Sequence, residues 1–106
     1  MEITLTKKIT KIAKNPEKEL GQNCGKKFKR RIEQLIVAEN LEALRYAPGR
    51  FHELTGNRKG QFACDLEHPY RLIFEPHEDA KPTDGDGCYI WIEIKSIEVL
   101  DITDYH

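Results

Sequence analysis

The sequence predicts an α+β fold in which N-terminal helices pack on one face of a small, mainly antiparallel, twisted β-sheet. Two observations predict it. Apolar residues recur every three to four positions as far as residue 44, and they alternate with polar residues from residue 50 onward. The 106 residues, of which 39% are hydrophobic, are enough for one modest core. We therefore expect one domain over residues 1–106.

The chain opens with a pattern typical of a short strand followed by a short helix. Ile3 and Leu5 alternate with polar neighbours, as strand residues do. Thr6 is a residue type that caps helices, and Ile9 and Ile12 follow at helical spacing. A helix is therefore expected directly after Thr6.

A longer, basic and amphipathic helix is predicted after Asn15. Asn15 can cap it, and Pro16 suits its first position. Because Gly21 and Gly25 weaken helical structure, we expect a break near Asn23. One face carries Leu20, Cys24, Phe28, Ile32, Leu35 and Ile36, and the other faces carry Lys26, Lys27, Lys29, Arg30 and Arg31.

The helical half is expected to end before residue 50. Asn40 can cap one more turn, which would run through Leu44. The Ala47-Pro48-Gly49 sequence then stops the helix, since proline restricts the preceding residue and glycine favours turns.

Strands are predicted in the remainder of the chain, around an exposed, mobile loop over residues 76–88. Alternation places Arg71 and Ile73 on the sheet face opposite Leu72 and Phe74. The expected strands are residues 50–55, a strand bearing Phe62, Cys64 and Leu66, a strand bearing Tyr70, Leu72 and Phe74, a strand bearing Ile90, Ile92 and Ile94, and a last strand bent near Ser96.

Charge is distributed unevenly, although the formal net charge is only −1. Residues 1–74 carry 15 basic and 9 acidic side chains, a balance of +6, whereas residues 75–106 carry 2 and 9, a balance of −7. A protein that simply coats nucleic acid would not need this acidic part. Contacts to RNA should therefore be confined to a patch built mainly from the first part.

Composition also limits the class of protein. The three cysteines, at positions 24, 64 and 88, form no CxxC pair, which argues against a disulfide framework and against a conventional zinc site. Apolar runs such as residues 35–38 are far too short to cross a bilayer. We expect a cytoplasmic protein with no membrane segment, no metal and no cofactor.

Three segments together resemble HigB-like toxins of the RelE/ParE superfamily, the group that includes plasmid maintenance killer proteins. They are HELTGNRKGQ (His52–Gln61), PYRLIFEP (Pro69–Pro76) and DYH (Asp104–His106), in the same order and at similar spacing. The resemblance is specific in residues 50–76 and in the last five residues. It implies a RelE/ParE-like fold and a ribosome-dependent mRNA endoribonuclease. It also implies a hetero-oligomer with a HigA-like helix-turn-helix antitoxin.

The resemblance implies RNA cleavage without a metal, in which the ribose 2′-hydroxyl attacks the adjacent phosphate. Such a reaction needs proton transfer and stabilisation of a pentavalent phosphorane. Imidazole titrates near neutral pH, so His52 and His106 are candidates for proton transfer. Arg71 is the candidate for the phosphorane, because guanidinium offers a planar fork of donors. By resemblance, Tyr105 would orient or stack on a base and Asp104 would hold the geometry.

Each of these candidates also has an ordinary structural explanation. His52 can be a strand histidine bonded to a backbone carbonyl, and Arg71 can be a solvated residue of a sheet face. The last three residues can be a frayed terminus.

Two groups of cations are candidates for binding RNA. Arg58 and Lys59, between Gly56 and Gly60, could clamp an RNA phosphate, although a plain β-turn explains them equally well. The helical cations could contact ribosomal RNA, or they could form a solvated helix face. This second group consists of Lys26, Lys27 and Arg30.

Two other functions stay open at this point. One is a ParE-like module that binds DNA gyrase without nuclease activity, and the other is an inactive toxin fold that only binds its antitoxin.

The sequence also departs from typical HigB-like toxins. Its loop from Glu75 to Asp86 is long and acidic, and Glu53 stands where many relatives have proline, a change that affects strand geometry more than chemistry.

Overall fold

The computed structural model describes residues 1–78 and 81–104. Within these ranges, three α-helices precede the central strands, and five strands form one sheet in the order β1-β5-β4-β3-β2. This is the predicted α+β fold. The helices are α1 (Lys7–Lys14), α2 (Pro16–Leu20) and α3 (Gln22–Val37), and the strands are β1 (Glu2–Leu5), β2 (His52–Glu53), β3 (Phe62–Asp65), β4 (Tyr70–Pro76) and β5 (Ser96–Asp104).

Three predicted capping residues do cap helical segments. The Thr6 hydroxyl accepts a hydrogen bond from the Ile9 N–H, and the Asn15 side chain accepts one from the Lys18 N–H. Asn40 caps a 3₁₀ turn in the same way. Such caps satisfy N–H groups that the helix itself leaves unpaired.

The break in the long helix lies at Gly21 and not near Asn23. Gly21 has a φ of 88°, a left-handed value that suits glycine because it has no Cβ. The helix restarts directly at Gln22. The break was therefore predicted two residues too far along the chain.

The sheet is mainly antiparallel, as predicted. β2, β3, β4 and β5 pair antiparallel in that order, and β1 pairs parallel with β5 at the other edge. A register shift next to Ile73 leaves Leu100 of β5 without a direct partner, because Ile73 pairs with Asp101 and Phe74 pairs with Val99. Such bulges bend a strand and redirect its side chains.

The helices pack on one face of this sheet, which we call the covered face. Leu72 and Phe74 of β4 are fully buried there against Phe28 and Leu35 of α3. The opposite face, which we call the open face, carries a smaller apolar cluster with no helical member, formed by Leu54, Ala63 and Ile73 with Leu100 packed against it. The predicted opposition of Leu72 and Ile73 is confirmed.

Two predicted strands differ from the structure. Residues 50–55 form a strand only at His52 and Glu53, after which the chain turns at residues 56–58. The strand expected at Ile90, Ile92 and Ile94 is wrong, since Trp91–Glu93 is a 3₁₀ turn. Burial of Trp91 and Ile94, three residues apart, explains the turn, and it leaves Ile92 59% exposed.

The loop after β4 is exposed over residues 83–88, as expected, while residues 79 and 80 lie outside the described residues. The Asp84 carboxylate accepts hydrogen bonds from the Asp86 and Cys88 N–H groups and so folds this segment into a turn. In the described part of the chain, no helix is long and apolar enough to cross a membrane.

Candidate functional site

Cross-strand pairing places His52 on the open face. His52 of β2 pairs with Ala63, and Ala63 pairs with Ile73 of β4. Directly opposed residues of antiparallel strands share a face. Asp101 of β5 completes this row because it pairs with Ile73.

A second row lies two residues further along the strands. Asp65 of β3 pairs with Arg71 of β4, and Arg71 pairs with Thr103 of β5. Two strand spacings and two residues separate His52 from Arg71, which corresponds to roughly 12 Å between their Cα atoms. The open face therefore carries both candidates on either side of a small apolar floor.

Contacts with the backbone define the tautomer of His52. Its Nδ1 atom lies 2.7 Å from the carbonyl oxygen of Arg50. A carbonyl oxygen only accepts hydrogen bonds, so Nδ1 is the atom that carries the proton and donates. In the neutral ring the lone pair is then on Nε2, which leaves this nitrogen as the basic atom.

A carboxylate lies between two arginines in the second row. The Nε atom of Arg50 is 3.1 Å from one oxygen of Asp65, and the Nε atom of Arg71 is 3.6 Å from the other. The side chain of Arg71 is only 14% exposed, whereas that of Arg50 is 62% exposed. The Asp65 carboxylate therefore links a largely buried cation to a solvated one.

The backbone of Asp65 is anchored from the helix layer by Arg31, which was expected on a solvated helix face. That expectation is wrong, since Arg31 is 6% exposed. Its Nε donates to the Asp65 carbonyl over 2.7 Å, and the Asp65 N–H donates to the Gly49 carbonyl over 2.7 Å. A Cβ at Gly49 would meet the Arg31 side chain at 2.6 Å, so only glycine fits beside this guanidinium. These contacts hold the ends of β3 and of the residue 49–50 segment together.

The loop after β2 places Arg58 near the first row. Arg58 donates to the side-chain oxygen of Gln61. Burial of Asp101 by itself would raise its pKa, but hydrogen bonds from Lys8 and the Ile102 N–H, together with the positive charges of Lys8 and Arg58, hold the pKa of Asp101 below its usual value. The guanidinium of Arg58 is therefore close enough to help lower the pKa of Asp101, a carboxylate of the open face. Lys59, its neighbour, is exposed.

The last strand ends beside Arg71. Asp104 is exposed and pairs with Tyr70, the residue before Arg71. Tyr105 and His106, two of the five candidate catalytic residues, lie outside the described residues. Of the other three, His52 and Arg71 lie on the open face, whereas Asp104, the partner of Tyr70, lies on the side of the sheet that Leu72 faces.

The helical cations are not part of this arrangement. Lys26, Lys27 and Arg30 belong to α3, whose Phe28 packs against the covered face of the sheet. Lys27 lies 3.4 Å from Glu67, while Lys26 and Arg30 are exposed. One RNA linkage could not contact both these cations and the open face.

The candidate residues line two separate depressions in the surface. One, of about 310 Å³, is lined by residues of the 52–58 segment, including His52 and Arg58. Another, of about 130 Å³, lies between Arg50, Asp65 and Arg71. Its remaining lining residues are Leu66, His68, Pro69 and Tyr70.

Sequence reasoning missed Arg50, Asp65 and Asp101. The alternation that buries Cys64 already assigns Asp65 to the open face, so a signal for Asp65 was present. Its pairing with Arg71 depends on register, which alternation does not supply. Within residues 1–78 and 81–104, no cluster of three or more His, Cys, Asp or Glu side chains could hold a metal ion.

The sequence matches no protein-family model, and it matches none of the curated proteins. Solved structures do share its fold. The YoeB/ParE toxin from Agrobacterium tumefaciens is 13% identical with a TM-score of 0.59, and the alignment covers 100% of both chains. The YoeB–YefM complex and the YoeB dimer from Staphylococcus aureus each match at 15% identity and a TM-score of 0.58, over 100% of this chain and 97% of the other.

These similarities establish the fold of the chain, which is that of YoeB/ParE-type toxins. At this level of identity they show the fold alone, and they do not single out the HigB branch that the three sequence segments resemble. At 13–15% identity, activity does not follow from the fold.

Proposed function

We propose that this chain is a single-domain toxin, over residues 1–106, of a toxin–antitoxin system, and that it cleaves mRNA. The observation that carries the proposal is the position of His52 and Arg71 on the open face. Among the described residues, the apolar cluster of that face has no helical member, and Thr103 of β5 pairs with Arg71 there. A face with a basic imidazole nitrogen and a guanidinium is suited to phosphodiester chemistry.

In the proposed reaction His52 is the general base. Its Nε2 atom removes the proton of the ribose 2′-hydroxyl, and the 2′-oxygen attacks the adjacent phosphorus. The hydrogen bond from Nδ1 to Arg50 orients the ring and supports the positive charge that it gains. Arg71 stabilises the added negative charge on the phosphorane through its planar donors.

The leaving group needs an acid. We assign this role to His106, which protonates the 5′ oxygen as the P–O bond breaks, giving a 2′,3′-cyclic phosphate and a 5′-hydroxyl. Tyr105 would orient or stack on a base, and Asp104 would hold the segment in place. Asp104, the last residue that the structure describes, pairs with Tyr70, which precedes Arg71 in β4.

The proposal includes partners. One solved structure of similar fold is that of a YoeB–YefM complex. We infer that this chain likewise binds an antitoxin, a HigA-like helix-turn-helix protein, and that it acts on messages held by the ribosome in the cytoplasm. Arg58 and Lys59 would contact RNA phosphates next to the scissile one. Lys26, Lys27 and Arg30, on the far side of the sheet, would contact ribosomal RNA instead.

The test is cleavage of a defined message in a reconstituted translation reaction, with the cut ends mapped by primer extension. We expect cuts that leave a 5′-hydroxyl and that disappear when the cut position carries a 2′-deoxyribose. His52→Ala and Arg71→Ala should each lower the cleavage rate by about 10²- to 10⁴-fold. Lys18→Ala, which removes an exposed charge on α2, is the matched control and should cleave like the parent.

Growth arrest on expression provides a second readout. Arg71→Ala and His106→Ala should relieve it without loss of fold, as judged by circular dichroism. If both variants stay as toxic as the parent, the assigned roles are wrong. Arrest without message cleavage but with inhibited DNA supercoiling would instead support a gyrase-binding module.

A further inference from the structure

A depression lined by two arginines lies where β3 ends and β4 begins, beside the proposed reaction site. It is the 130 Å³ depression between Arg50, Asp65 and Arg71. Both arginines contact the same carboxylate, so two positive charges and one negative charge line this small volume. His68 and Tyr70 complete its rim.

The geometry around Asp65 resembles the way arginines hold an anion. Each oxygen of the carboxylate faces a guanidinium, at 3.1 Å for Arg50 and 3.6 Å for Arg71. Guanidinium forks bind carboxylate and phosphate with the same planar, bidentate pattern. A phosphate that enters here would find donors already arranged.

Arg50 is held in an unusual backbone conformation. Its φ is 53°, a left-handed value that non-glycine residues rarely adopt. Its neighbours fix it in place, because the Gly49 carbonyl accepts from the Asp65 N–H and the Arg50 carbonyl accepts from His52. Strain that the surroundings maintain in this way is concentrated at functional sites in proteins.

The link between Arg50 and His52 couples this depression to the proposed base. The Arg50 carbonyl orients the imidazole, and the Arg50 side chain reaches Asp65. Since the side chain is 62% exposed, it can exchange one oxygen partner for another, because exposed ion pairs contribute little to stability.

We propose that this depression binds the phosphate of the nucleotide next to the cleaved linkage, with Arg50 and Arg71 as the two donors. Asp65 is a positioning residue that holds both guanidiniums in register. The role in RNA cleavage rests on the proposed function, whereas nucleotide binding at this depression is measurable by itself.

The binding test uses the four nucleoside 3′-monophosphates, one at a time, in a ¹⁵N NMR titration of the full chain. We expect the Nε–H signals of Arg50 and Arg71 to shift together, with one apparent Kd. Arg50→Ala should weaken the shift of Arg71 by about 10- to 100-fold in Kd, as expected for loss of charge-assisted hydrogen bonds. Arg50→Lys should recover only part of this loss, because lysine keeps the charge without the fork.

The cleavage test follows the same variants on a defined message. Arg50→Ala should lower kcat/KM by about 10- to 100-fold. It should also make the binding constant for RNA less dependent on salt, by the amount expected for the loss of about one phosphate contact. Lys18→Ala should change neither. Asp65→Asn should lower kcat more than it raises KM, because the guanidiniums lose their register while the positive charge remains.

The outcomes separate the two proposals. If the parent chain cuts message and Arg50→Ala cuts it equally well, the binding role of this depression is wrong. If the nucleotides shift Arg50 and Arg71 but the parent cuts no message, the depression binds nucleotide phosphate and the nuclease proposal fails. Unchanged Arg50 and Arg71 signals at saturating nucleotide would overturn the inference directly.

Discussion

The two faces of the sheet are built in opposite ways. On the covered face, β4 places Leu72 and Phe74 in a large apolar cluster with the helices. On the open face, the same strand contributes Ile73 to a small cluster and Arg71 to a row of charges. One strand therefore contributes to the main core through one set of alternate residues and to the proposed site through the other.

This division explains where charge is tolerated. Among the described residues, Arg31 is the charged side chain that is buried, and it donates to the Gln34 side chain and to the Asp65 carbonyl. On the open face, Asp101 pairs with Lys8, and Asp65 pairs with Arg50 and Arg71. Charged side chains are therefore concentrated on the open face, and the covered face is mainly apolar.

The largest expected difference between the faces comes from neighbouring residues of β4. Leu72 and Ile73 are both essentially unexposed. Replacing either by alanine should cost about 2–5 kcal/mol of unfolding free energy. We expect Leu72→Ala to lie at the upper end, because the rigid helix layer cannot close the cavity, and Ile73→Ala at the lower end.

Urea denaturation of the two variants measures this difference. Ile73→Ala should stay folded, since flexible charged side chains can close over its site. Equal losses for the two variants would show that the open face is packed as rigidly as the covered face.

A smaller effect is expected within the helix layer. A Cβ at Gly25 would lie 2.6 Å from the backbone of Glu17, so Gly25→Ala must push α2 and α3 apart. The cost should be about 1–3 kcal/mol, although alanine is the better helix former. Gly85→Ala, in open space in the acidic loop, is the control and should change thermal stability little. If Gly25→Ala stabilises the protein, the close approach of the two helices is wrong.

The ion pair between Lys8 and Asp101 joins α1 to the edge of the open face. Because the folded-state pKa of Asp101 is lowered, its contribution to stability is present above the unfolded-state pKa and is lost as pH falls through the folded-state pKa. At neutral pH, Asp101→Asn should cost about 0.2–1 kcal/mol, the range for exposed ion pairs.

Unfolding free energies of the parent and of Asp101→Asn, measured from pH 7 to pH 2, check this prediction. The two curves should converge in acid. Lys8→Ala should produce the same loss at pH 7, and the double variant should cost little more than either single one. Curves that stay parallel down to pH 2 would rule out the ion pair as the cause.

The smallest effect has the opposite sign. Glu75 and Glu98 are directly opposed on neighbouring strands, and among the described residues neither forms an ion pair. Opposed like charges destabilise a sheet, so Glu98→Gln should raise stability by about 0.2–1 kcal/mol, and less at high salt. Glu39→Gln, an exposed change after α3, is the control for loss of net charge. No gain at low salt would contradict the prediction.

Sequence reasoning succeeded where one residue and its neighbours decide the outcome. Thr6, Asn15 and Asn40 each cap the segment that follows, because the capping bond joins residues only three apart. The alternation along β4 was also readable, since a strand has a period of two.

Reasoning from pattern failed where distant contacts compete with it. Ile90, Ile92 and Ile94 alternate like strand residues, yet Trp91 packs edge-on against Phe62 at 5.1 Å and turns the segment. The Trp91 side-chain N–H also donates to Glu53, for which the sequence suggested only an effect on strand geometry. The packing of Trp91 against Phe62 thus outweighed the local preference of the alternating isoleucines for a strand.

The candidate site likewise contains residues that the sequence identified and contacts that it did not. His52, Arg71 and Asp104 were identified from motifs, and the sequence assigned Arg71 to the correct face. The contacts of Asp65 with Arg50 and Arg71 were not predictable, because they depend on the register between β3 and β4 and on an unusual backbone angle at Arg50. The assignment of His52, Arg71 and Asp104 to catalysis stays a proposal.

The sequence alone determined which residues start helices, which alternate in strands, and which side of β4 is apolar, because these features arise from spacings of two to four residues. Tertiary structure decided which strands are neighbours. The parallel pairing of β1 with β5 brings Leu5 to Val99, and the pairing of β4 with β5 brings Asp104 to Tyr70. Such contacts are selected by burial of the whole apolar cluster, a cooperative quantity that no short window of sequence contains.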